Sequence, residues 1–351
     1  MEFEGKRILI TGGTGSLGKA LVRRILTDEL GHPEKVIVFS RDEEKQQNMR
    51  ISYLQTYAAT DEVIYRDTKR LLEFRIGDVR DYDSVCANIR DAHVIINAAA
   101  LKQVPTCEYF PYEAVLTNVV GPENIVRAIR EHDLSVETVV GVSTDKACKP
   151  VNLMGMTKAI QERILINGNL LCPHTRFVCV RYGNVLASRG SVIPLFHSQI
   201  RDGLPLTITT MEMTRFLLSI DQAVDTIFAV IRDGARGEMF VPRVPSALVV
   251  DIAHALIGDR PVEIKVVGIR PGEKVHEILI SEEEAVRVAT KGNYYVIQPI
   301  LPELRAQTSH PSELKAEYSS RDQVLRPDEV LKLLTREKLL VGYVDGDEML
   351  R

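Results

Sequence analysis

Six short apolar segments alternate with stretches of helical length over the first half of the chain, and this alternation constrains the fold more than any other feature. The segments occupy residues 6–11, 35–40, 74–78, 93–100, 138–144 and 176–183. Strands that are apolar on both faces are typical of a parallel sheet covered by helices on each side. The sequence therefore predicts a doubly wound α/β fold, in which the carboxyl ends of the strands share one ligand-binding edge.

The alternation of apolar segments and helical stretches becomes less regular after about residue 183. Strand-like segments at 206–209, 239–241 and 263–268 lie among Pro and Gly residues there. Helical apolar spacing over residues 221–232 predicts a return to the first domain. The expected division is discontinuous: residues 1–182 plus about 221–237 form a dinucleotide-binding domain, residues 183–220 plus 238–304 a smaller C-terminal substrate lobe, and residues 305–351 a tail. The amphipathic segment 327–334 predicts that this tail packs on the body or on a neighbouring subunit.

Composition excludes several functional classes. With 44 Lys and Arg against 48 Asp and Glu, the 351-residue chain has a net charge of −4, so no global field attracts nucleic acid or an anionic membrane. No apolar run is long enough to span a bilayer and no signal-peptide pattern is present, so we expect a cytoplasmic protein that is not bound to a membrane. The five Cys residues form no C-x-x-C pair and the eight His residues lack metal-ligand spacing, which predicts no metal site.

A glycine-rich turn, TGGTGSLG at residues 11–18, follows the first predicted strand and opens a helix. Gly12, Gly15 and Gly18 let the backbone turn tightly and approach a pyrophosphate, while the helix N-terminus offers unpaired N–H groups and a positive dipole end. This strand, turn and helix context predicts dinucleotide binding. Thr14, Ser16 and Leu17 complete the expected contact surface of the turn.

The end of the second predicted strand indicates which dinucleotide is preferred. An NAD site usually places an acidic residue there, but this chain has Ser40 and Arg41, whose hydroxyl and guanidinium suit a 2′-phosphate. NADP is therefore favoured over NAD, although Asp42 could reach the ribose and Arg41 could be only a solvated loop charge. Further cofactor contacts are expected at the ends of the next strands and beyond, from Asp78, Val79, Ala98, Ala99, Ala100, Lys102 and Asn118.

Further sequence motifs follow one another along most of the chain. They cover residues 11–18, 97–108, 117–125, 143–159, 181–196, 213–216 and 270–284. With these blocks the chain resembles the extended short-chain dehydrogenase/reductases that act on nucleotide sugars. Within that group it is similar to the inverting UDP-N-acetylglucosamine 4,6-dehydratases of bacterial surface-polysaccharide synthesis, especially the capsule type that also epimerises carbon 5. The resemblance implies a Rossmann fold, a UDP-sugar substrate and a homo-oligomer.

The STDKA segment leaves the fifth predicted strand at the sheet edge, where the nicotinamide is expected. A dehydration requires one group that removes the carbon 5 proton and another that protonates the departing carbon 6 hydroxyl. The resemblance assigns Lys146 as the base and Asp145 as the acid, with Thr144 beside them. A base at neutral pH requires a lowered pKa for Lys146, from burial or from a cation such as Lys158. The alternative is a surface ion pair at a strand end.

The superfamily normally places a Tyr four residues before the Lys of its hydride-transfer site. Here Lys158 is present, but Met154 occupies the Tyr position, and a thioether has no proton to exchange. We expect Lys158 to hold the nicotinamide ribose, while the carbon 4 hydroxyl proton leaves through Asp145, Lys146, Cys107 or water. Cys107 requires a lowered thiol pKa for any proton exchange, and the alternative is a small buried hydrophobic residue.

Several residues are candidates for contacts with the nucleotide sugar. Asn184 and the helix that begins near Val192 offer polar groups to a diphosphate. The resemblance implies that Arg215 and Arg270 contact UDP, because guanidinium groups suit phosphate oxygens, and that Glu273 accepts a hydrogen bond from the uridine ribose. Lys102 is also expected to line the sugar pocket.

The predicted activity is NADP-dependent 4,6-dehydration of UDP-N-acetylglucosamine with inversion at carbon 5, which gives a UDP-4-keto-6-deoxy-hexosamine for surface polysaccharide. One alternative is a UDP-hexose or UDP-N-acetylhexosamine 4-epimerase, which shares the ketone step. Another is a catalytically silent NADP-binding module, which the methionine at position 154 motivates.

Overall fold

A large, mostly parallel sheet forms the centre of the molecule. The computed structural model describes residues 1–56, 70–186, 191–305, 312 and 314–342. Within these residues the sheet has nine strands, which are β1 (Arg7–Thr11), β2 (Lys35–Ser40), β3 (Leu72–Ile76), β4 (Val94–Asn97), β5 (Thr138–Thr144), β6 (Arg176–Tyr182), β9 (Met239–Pro242), β13 (Val288–Lys291) and β14 (Tyr294–Ile297). Their order in the sheet is β13-β14-β9-β6-β5-β4-β1-β2-β3. The pairs β13–β14 and β14–β9 are antiparallel, and the other pairs are parallel.

Helices cover the sheet and build the rest of the fold. They are α1 (Ser16–Ile25), α2 (Glu43–Thr56), α3 (Tyr82–Ile89), α4 (Val104–Tyr109), α5 (Pro111–Val115), α6 (Gly121–His132), α7 (Leu153–Leu171), α8 (Val192–Arg201), α9 (Ile220–Asp233), α10 (Val249–Ile257), α11 (Glu282–Ala285) and α12 (Pro327–Arg336). A π-helical turn occupies Leu116–Val120, and 3₁₀ turns occupy Asp145–Ala147 and Pro302–Leu304. Among the described residues, no helix is both long enough and apolar enough to cross a membrane.

The central strands are buried on both faces, as the apolar segments predict. All four residues of β4 are buried, and so are four of the five residues of β1. The apolar stripe of α1, which includes Leu21, Val22 and Ile25, packs into the same core. The predicted doubly wound α/β fold is confirmed, with the carboxyl ends of the parallel strands along one edge.

A second apolar core lies under the remaining short strands. These are β7 (Leu206–Ile208), β8 (Thr214–Phe216), β10 (Ser246–Leu248), β11 (Ile264–Val266), β12 (Ile278–Ile280) and β15 (Tyr318–Ser319). Strand β7 pairs with β11, β8 with β10 and β12 with β15. Val330 and Leu334 of α12 are buried in this core, which places the amphipathic segment predicted in the tail against the body of the same chain.

The large sheet contains strands that the expected division assigns to the smaller lobe. Strands β9, β13 and β14 lie in segments assigned to the smaller lobe, yet they extend the large sheet beyond β6. The β13–β14 hairpin was missed because both strands are short and partly exposed at the edge of the sheet, so neither forms a continuous apolar run. Helix α9 packs against β5, β6 and β9 of the large sheet.

Candidate active site

A cavity of about 830 Å³ lies at the carboxyl edge of the parallel strands and extends to the second core. It is large enough for a sizeable ligand. The sequence-predicted site residues that line it are Gly12, Thr14, Gly15, Ser16, Leu17, Gly18, Ser40, Arg41, Asp78, Val79, Ala98, Ala99, Ala100, Lys102, Thr144, Lys146, Met154, Lys158, Asn184, Val192, Arg215, Arg270 and Glu273. Three others do not line it: Cys107, Asn118 and Asp145.

The glycine turn brings backbone N–H groups to one end of the cavity. Gly12 has a φ of +64°, and a Cβ there would lie 2.9 Å from the backbone of Ala99, so only glycine fits between β1 and β4. Helix α1 then begins with Gly15 as its N-cap and has no acidic residue in its first turn. The turn therefore fits a dinucleotide pyrophosphate, since it combines a close backbone approach with a positive helix end.

The end of β2 adds polar and charged groups beside this turn. Thr14 donates a hydrogen bond to Oγ of Ser40 at 3.3 Å, and the guanidinium of Arg41 lies 3.8 Å from the Asp78 carboxylate. Lys45, which sequence reasoning missed, also lines the cavity and pairs with Asp42. This hydrogen bond from Lys45 holds the pKa of Asp42 below its usual value. Arg41 and Lys45 therefore stand where a 2′-phosphate is expected, each beside a carboxylate that also lines the cavity.

The Asp145 and Lys146 side chains are in direct contact beyond the end of β5. Nζ of Lys146 lies 2.9 Å from Oδ1 of Asp145, which also accepts a hydrogen bond from Thr144. Asp145 is fully buried behind Lys146, so the lysine reaches the cavity and the carboxyl group does not. Gly155 of α7 allows this packing, because a Cβ there would lie 2.1 Å from the Lys146 carbonyl oxygen. The alternative of a surface ion pair is therefore wrong.

A third charged side chain, Glu277, completes this group. Its Oε1 lies 3.3 Å from Nζ of Lys146 and 3.9 Å from Nε of Arg215, and the residue lines the cavity with only 2% of its surface exposed. We call Asp145, Lys146 and Glu277 the cavity cluster. Sequence reasoning missed Glu277 because nothing in the 270–284 block distinguishes it from the neighbouring glutamates.

The protonation of the cavity cluster differs from the expectation for Lys146. Burial alone lowers the pKa of Lys146, but the carboxylates of Asp145 and Glu277 outweigh burial, and the pKa is raised. The required lowering is therefore not present in this structure, and Arg215 rather than Lys158 is the cation that opposes the rise. Burial and the charge of Glu277 raise the pKa of Asp145 by more than Lys146 lowers it. Asp145 therefore keeps its proton to a higher pH than an ordinary aspartic acid does.

Lys158 and Met154 lie on α7 and also line the cavity. Nζ of Lys158 donates to the Val142 carbonyl and to the Gln161 side chain, both at 2.6 Å. Burial lowers the pKa of Lys158 to about 8. The thioether of Met154 packs with Cys107 and Ala114 in a small apolar cluster, which offers no proton donor at the usual Tyr position.

The side chains of Cys107 and Asn118 contact other groups of the protein and do not line the cavity. The Cys107 thiol is buried against the Leu101 carbonyl oxygen, and burial together with Glu108 raises its pKa. Proton exchange by Cys107 needs a lowered thiol pKa and a side chain at the cavity, whereas here the pKa is raised and Cys107 does not line the cavity. The Asn118 amide, expected at the cofactor, instead bonds both backbone groups of Leu101 and the Thr157 hydroxyl.

The expected substrate contacts lie at the far side of the cavity. Arg215 donates to the carbonyl oxygens of Thr214, Val275 and Lys274, which commits much of its guanidinium to the protein. Glu273 accepts from the Thr209 hydroxyl and from the Arg270 backbone N–H. Among the described residues, no group donates to the buried Oδ1 of Asn184. This oxygen therefore remains able to accept a hydrogen bond from a ligand.

Comparison with known proteins agrees with this architecture. Residues 8–299 match a family model described as "Polysaccharide biosynthesis protein". A protein named UDP-glucose 4-epimerase from Rickettsia bellii (strain OSU 85-389) is 42% identical over 300 residues, which cover 84% of this chain and 83% of that protein. A protein of the same name from Rickettsia prowazekii (strain Madrid E) is also 42% identical over the same shares.

Solved structures show the same fold. The X-ray structure of Pen from Bacillus thuringiensis is 31% identical, with a TM-score of 0.86 over 97% of this chain and 100% of that chain. DesIV from Streptomyces venezuelae, a dTDP-glucose 4,6-dehydratase solved with NAD and TYD bound, is 21% identical, with a TM-score of 0.64 over 77% of this chain and 86% of that chain. The match over residues 8–299 and the close relatives show that this chain belongs to the polysaccharide biosynthesis protein family, among the extended short-chain dehydrogenase/reductases.

Proposed function

We propose that the protein is a nucleotide-sugar 4,6-dehydratase that acts on UDP-N-acetylglucosamine and inverts carbon 5. The observation that carries this proposal is the buried Asp145–Lys146 contact at the end of β5, with Lys146 facing the cavity. A 4-epimerase needs no acid and base pair for elimination, whereas a dehydratase does.

The cofactor is a nicotinamide dinucleotide, held by the glycine turn and the start of α1. NADP is the proposed form, because Arg41 and Lys45 offer two cations beside Ser40. By contrast, DesIV and a UDP-glucuronic acid 4-epimerase from Bacillus cereus were solved with NAD. The proposed preference for NADP therefore depends on Arg41 and Lys45 of this chain. When bound, the dinucleotide supplies a hydride acceptor and donor that is regenerated in each turnover.

Asp145 and Lys146 of the cavity cluster supply the proton transfers. Oxidation at carbon 4 of the sugar acidifies the hydrogen on carbon 5. Lys146 accepts this proton in its neutral form, which the raised pKa makes the minor form at neutral pH. Asp145, whose pKa is raised by burial, donates its proton to the carbon 6 hydroxyl by way of the Thr144 hydroxyl, which contacts Asp145 and lines the cavity. The carbon 6 hydroxyl then leaves as water. The bound dinucleotide would supply the hydride that carbon 6 receives, and protonation of carbon 5 from the opposite face would complete the inversion. With Met154 at the usual Tyr position and Cys107 outside the cavity, the carbon 4 hydroxyl proton leaves through the cluster or through water.

The relatives from Rickettsia favour a second candidate, because their name is UDP-glucose 4-epimerase. Incubation with UDP-N-acetylglucosamine and a catalytic amount of NADP separates the two. Mass spectrometry of the product shows the loss of one water if the protein is a dehydratase. A new sugar of unchanged mass would contradict the dehydratase and support the epimerase.

A further inference from the structure

Glu277 stands in the cavity but has no role in the chemistry described so far. Its Oε1 lies 3.3 Å from Nζ of Lys146, opposite the Asp145 carboxyl group at 2.9 Å. Its second oxygen, Oε2, is buried, and no described residue donates a hydrogen bond to it. A buried carboxylate with one unpaired oxygen is costly, and such groups are concentrated at functional sites.

The main chain of Glu277 is held by hydrogen bonds that do not involve Lys146. Its N–H donates to Oγ of Ser320 at 2.9 Å, and its carbonyl oxygen accepts from the Ser320 N–H at 2.8 Å. The main chain therefore presents the carboxylate to Lys146 as a preformed partner. A change from carboxylate to amide at this position leaves both backbone bonds in place.

We propose that Glu277 is a positioning residue of the cavity cluster, which holds Nζ of Lys146 between two carboxyl groups and makes the amine a stronger base. This inference rests on the proposed dehydration, in which Lys146 gains a proton from carbon 5. The ammonium formed in that step is stabilised by a neighbouring negative charge, so Glu277 favours the state that follows proton transfer more than the state that precedes it.

The charged groups around the cluster agree with this assignment. Lys146 faces Asp145, Glu277 and Arg215, while Glu277 faces Lys146, Arg215 and Lys274. Burial opposes ionisation of Glu277, but the three cations outweigh it and lower its pKa. Glu277 thus remains a carboxylate at neutral pH, so its charge on Lys146 is constant while the amine titrates.

Glu277→Gln removes the charge and keeps the shape. Competitive labelling of lysines with acetic anhydride over a pH series, read by peptide mass spectrometry, reports the titration of Lys146 without any turnover. We expect the midpoint for Lys146 to fall by about one to two pH units, because an opposite charge at this distance favours the ammonium. A midpoint within about 0.3 pH unit of the wild-type value overturns the proposal.

Two further variants make this measurement decisive. Glu238→Gln is the matched control, because Glu238 is also a buried glutamate paired with a lysine, Lys291, but lies outside the cavity; it leaves the Lys146 midpoint unchanged. Glu277→Asp keeps the charge and draws it back by one methylene, and we expect an intermediate midpoint. If Glu277→Gln does not fold, Glu277→Asp decides, and a wild-type midpoint there also overturns the proposal.

The kinetic readout is separate from the labelling. The base Lys146 acts in its neutral form while the acid Asp145 must keep its proton, so the pH profile of kcat is bell-shaped. Glu277→Gln moves the limb of this profile that Lys146 sets to lower pH. A shifted labelling midpoint with a product of unchanged mass would reject dehydration but not the effect of Glu277 on Lys146. Water loss with an unshifted midpoint would reject the role of Glu277 alone.

Discussion

Two clusters of one cation and two carboxyl groups are buried in this protein, and they differ in how completely their hydrogen bonds are satisfied. In the first, which we call the core cluster, Arg181 lies between Glu162 and Glu284 with 1% of its surface exposed. Its guanidinium donates to both carboxylates and to the Leu279 carbonyl oxygen. In the cavity cluster, one oxygen of Asp145 and one of Glu277 have no donor among the described residues.

The difference indicates which cluster supports structure and which supports chemistry. All five N–H groups of Arg181 are used, and the two carboxylates take further hydrogen bonds from Ser143 and from the Ser281 N–H. Such a network joins β5, β6, α7 and α11 in one geometry. The cavity cluster lacks this saturation, and its groups therefore retain the capacity to exchange protons with a ligand.

The largest expected effect is on activity in the cavity cluster. Asp145→Asn removes the proposed acid while its amide oxygen still accepts from Lys146, and Glu277 still balances the ammonium. We expect kcat to fall by about 10²- to 10⁴-fold, with a change of less than about 1 kcal/mol in the free energy of unfolding. Turnover assays and urea denaturation measure the two quantities. A wild-type kcat for Asp145→Asn would contradict the role of Asp145 as the acid.

The core cluster is expected to respond in the opposite way. Arg181→Met leaves Glu162 and Glu284 buried without their cation, so we expect the free energy of unfolding to fall by about 3–5 kcal/mol. The specific activity of the molecules that remain folded should stay within about tenfold of the wild type, since Arg181 does not line the cavity. A variant that is stable but inactive would break the distinction between the clusters.

A smaller effect is expected at the exposed charges near the glycine turn. The Arg41 side chain is 57% exposed, so its contact with a 2′-phosphate is partly screened by solvent. Arg41→Ala should reduce the preference for NADP over NAD by about tenfold, as judged from the two dissociation constants. A control, Arg23→Ala, changes an exposed arginine of α1 that does not line the cavity and should leave the preference unaltered.

The smallest effect is expected for Cys107, which lies behind the cavity. Because its thiol is buried and its pKa is raised, we expect Cys107→Ala to change kcat by less than about twofold. Loss of the thiol removes packing against Met154 and should cost about 1 kcal/mol of stability, measured by urea denaturation. A large loss of activity without unfolding would restore Cys107 as a proton carrier.

The elements that could be predicted from the sequence are those marked by residue patterns within short segments. The apolar strands and the glycine turn follow from residue patterns within short segments, and the structure gives β1, β2, β4, β5 and β6 close to the expected positions. Glu277 could not be found in this way, because its contact with Lys146 joins residues 131 positions apart in the chain. The protonation of Lys146 was likewise misjudged, since it depends on two carboxyl groups whose joint placement only the folded chain determines.

The most direct test of the proposed chemistry is to run the reaction in deuterated water and examine carbon 5 of the product. Because Lys146 removes the carbon 5 proton and the carbon is protonated again from the other face, one deuterium from the solvent should appear there. Mass spectrometry and proton NMR would then show a dehydrated sugar that carries a single deuterium at carbon 5 in the inverted configuration. A product that has lost water but keeps its original carbon 5 proton, or an epimer without carbon-bound deuterium, would contradict the role assigned to the cavity cluster.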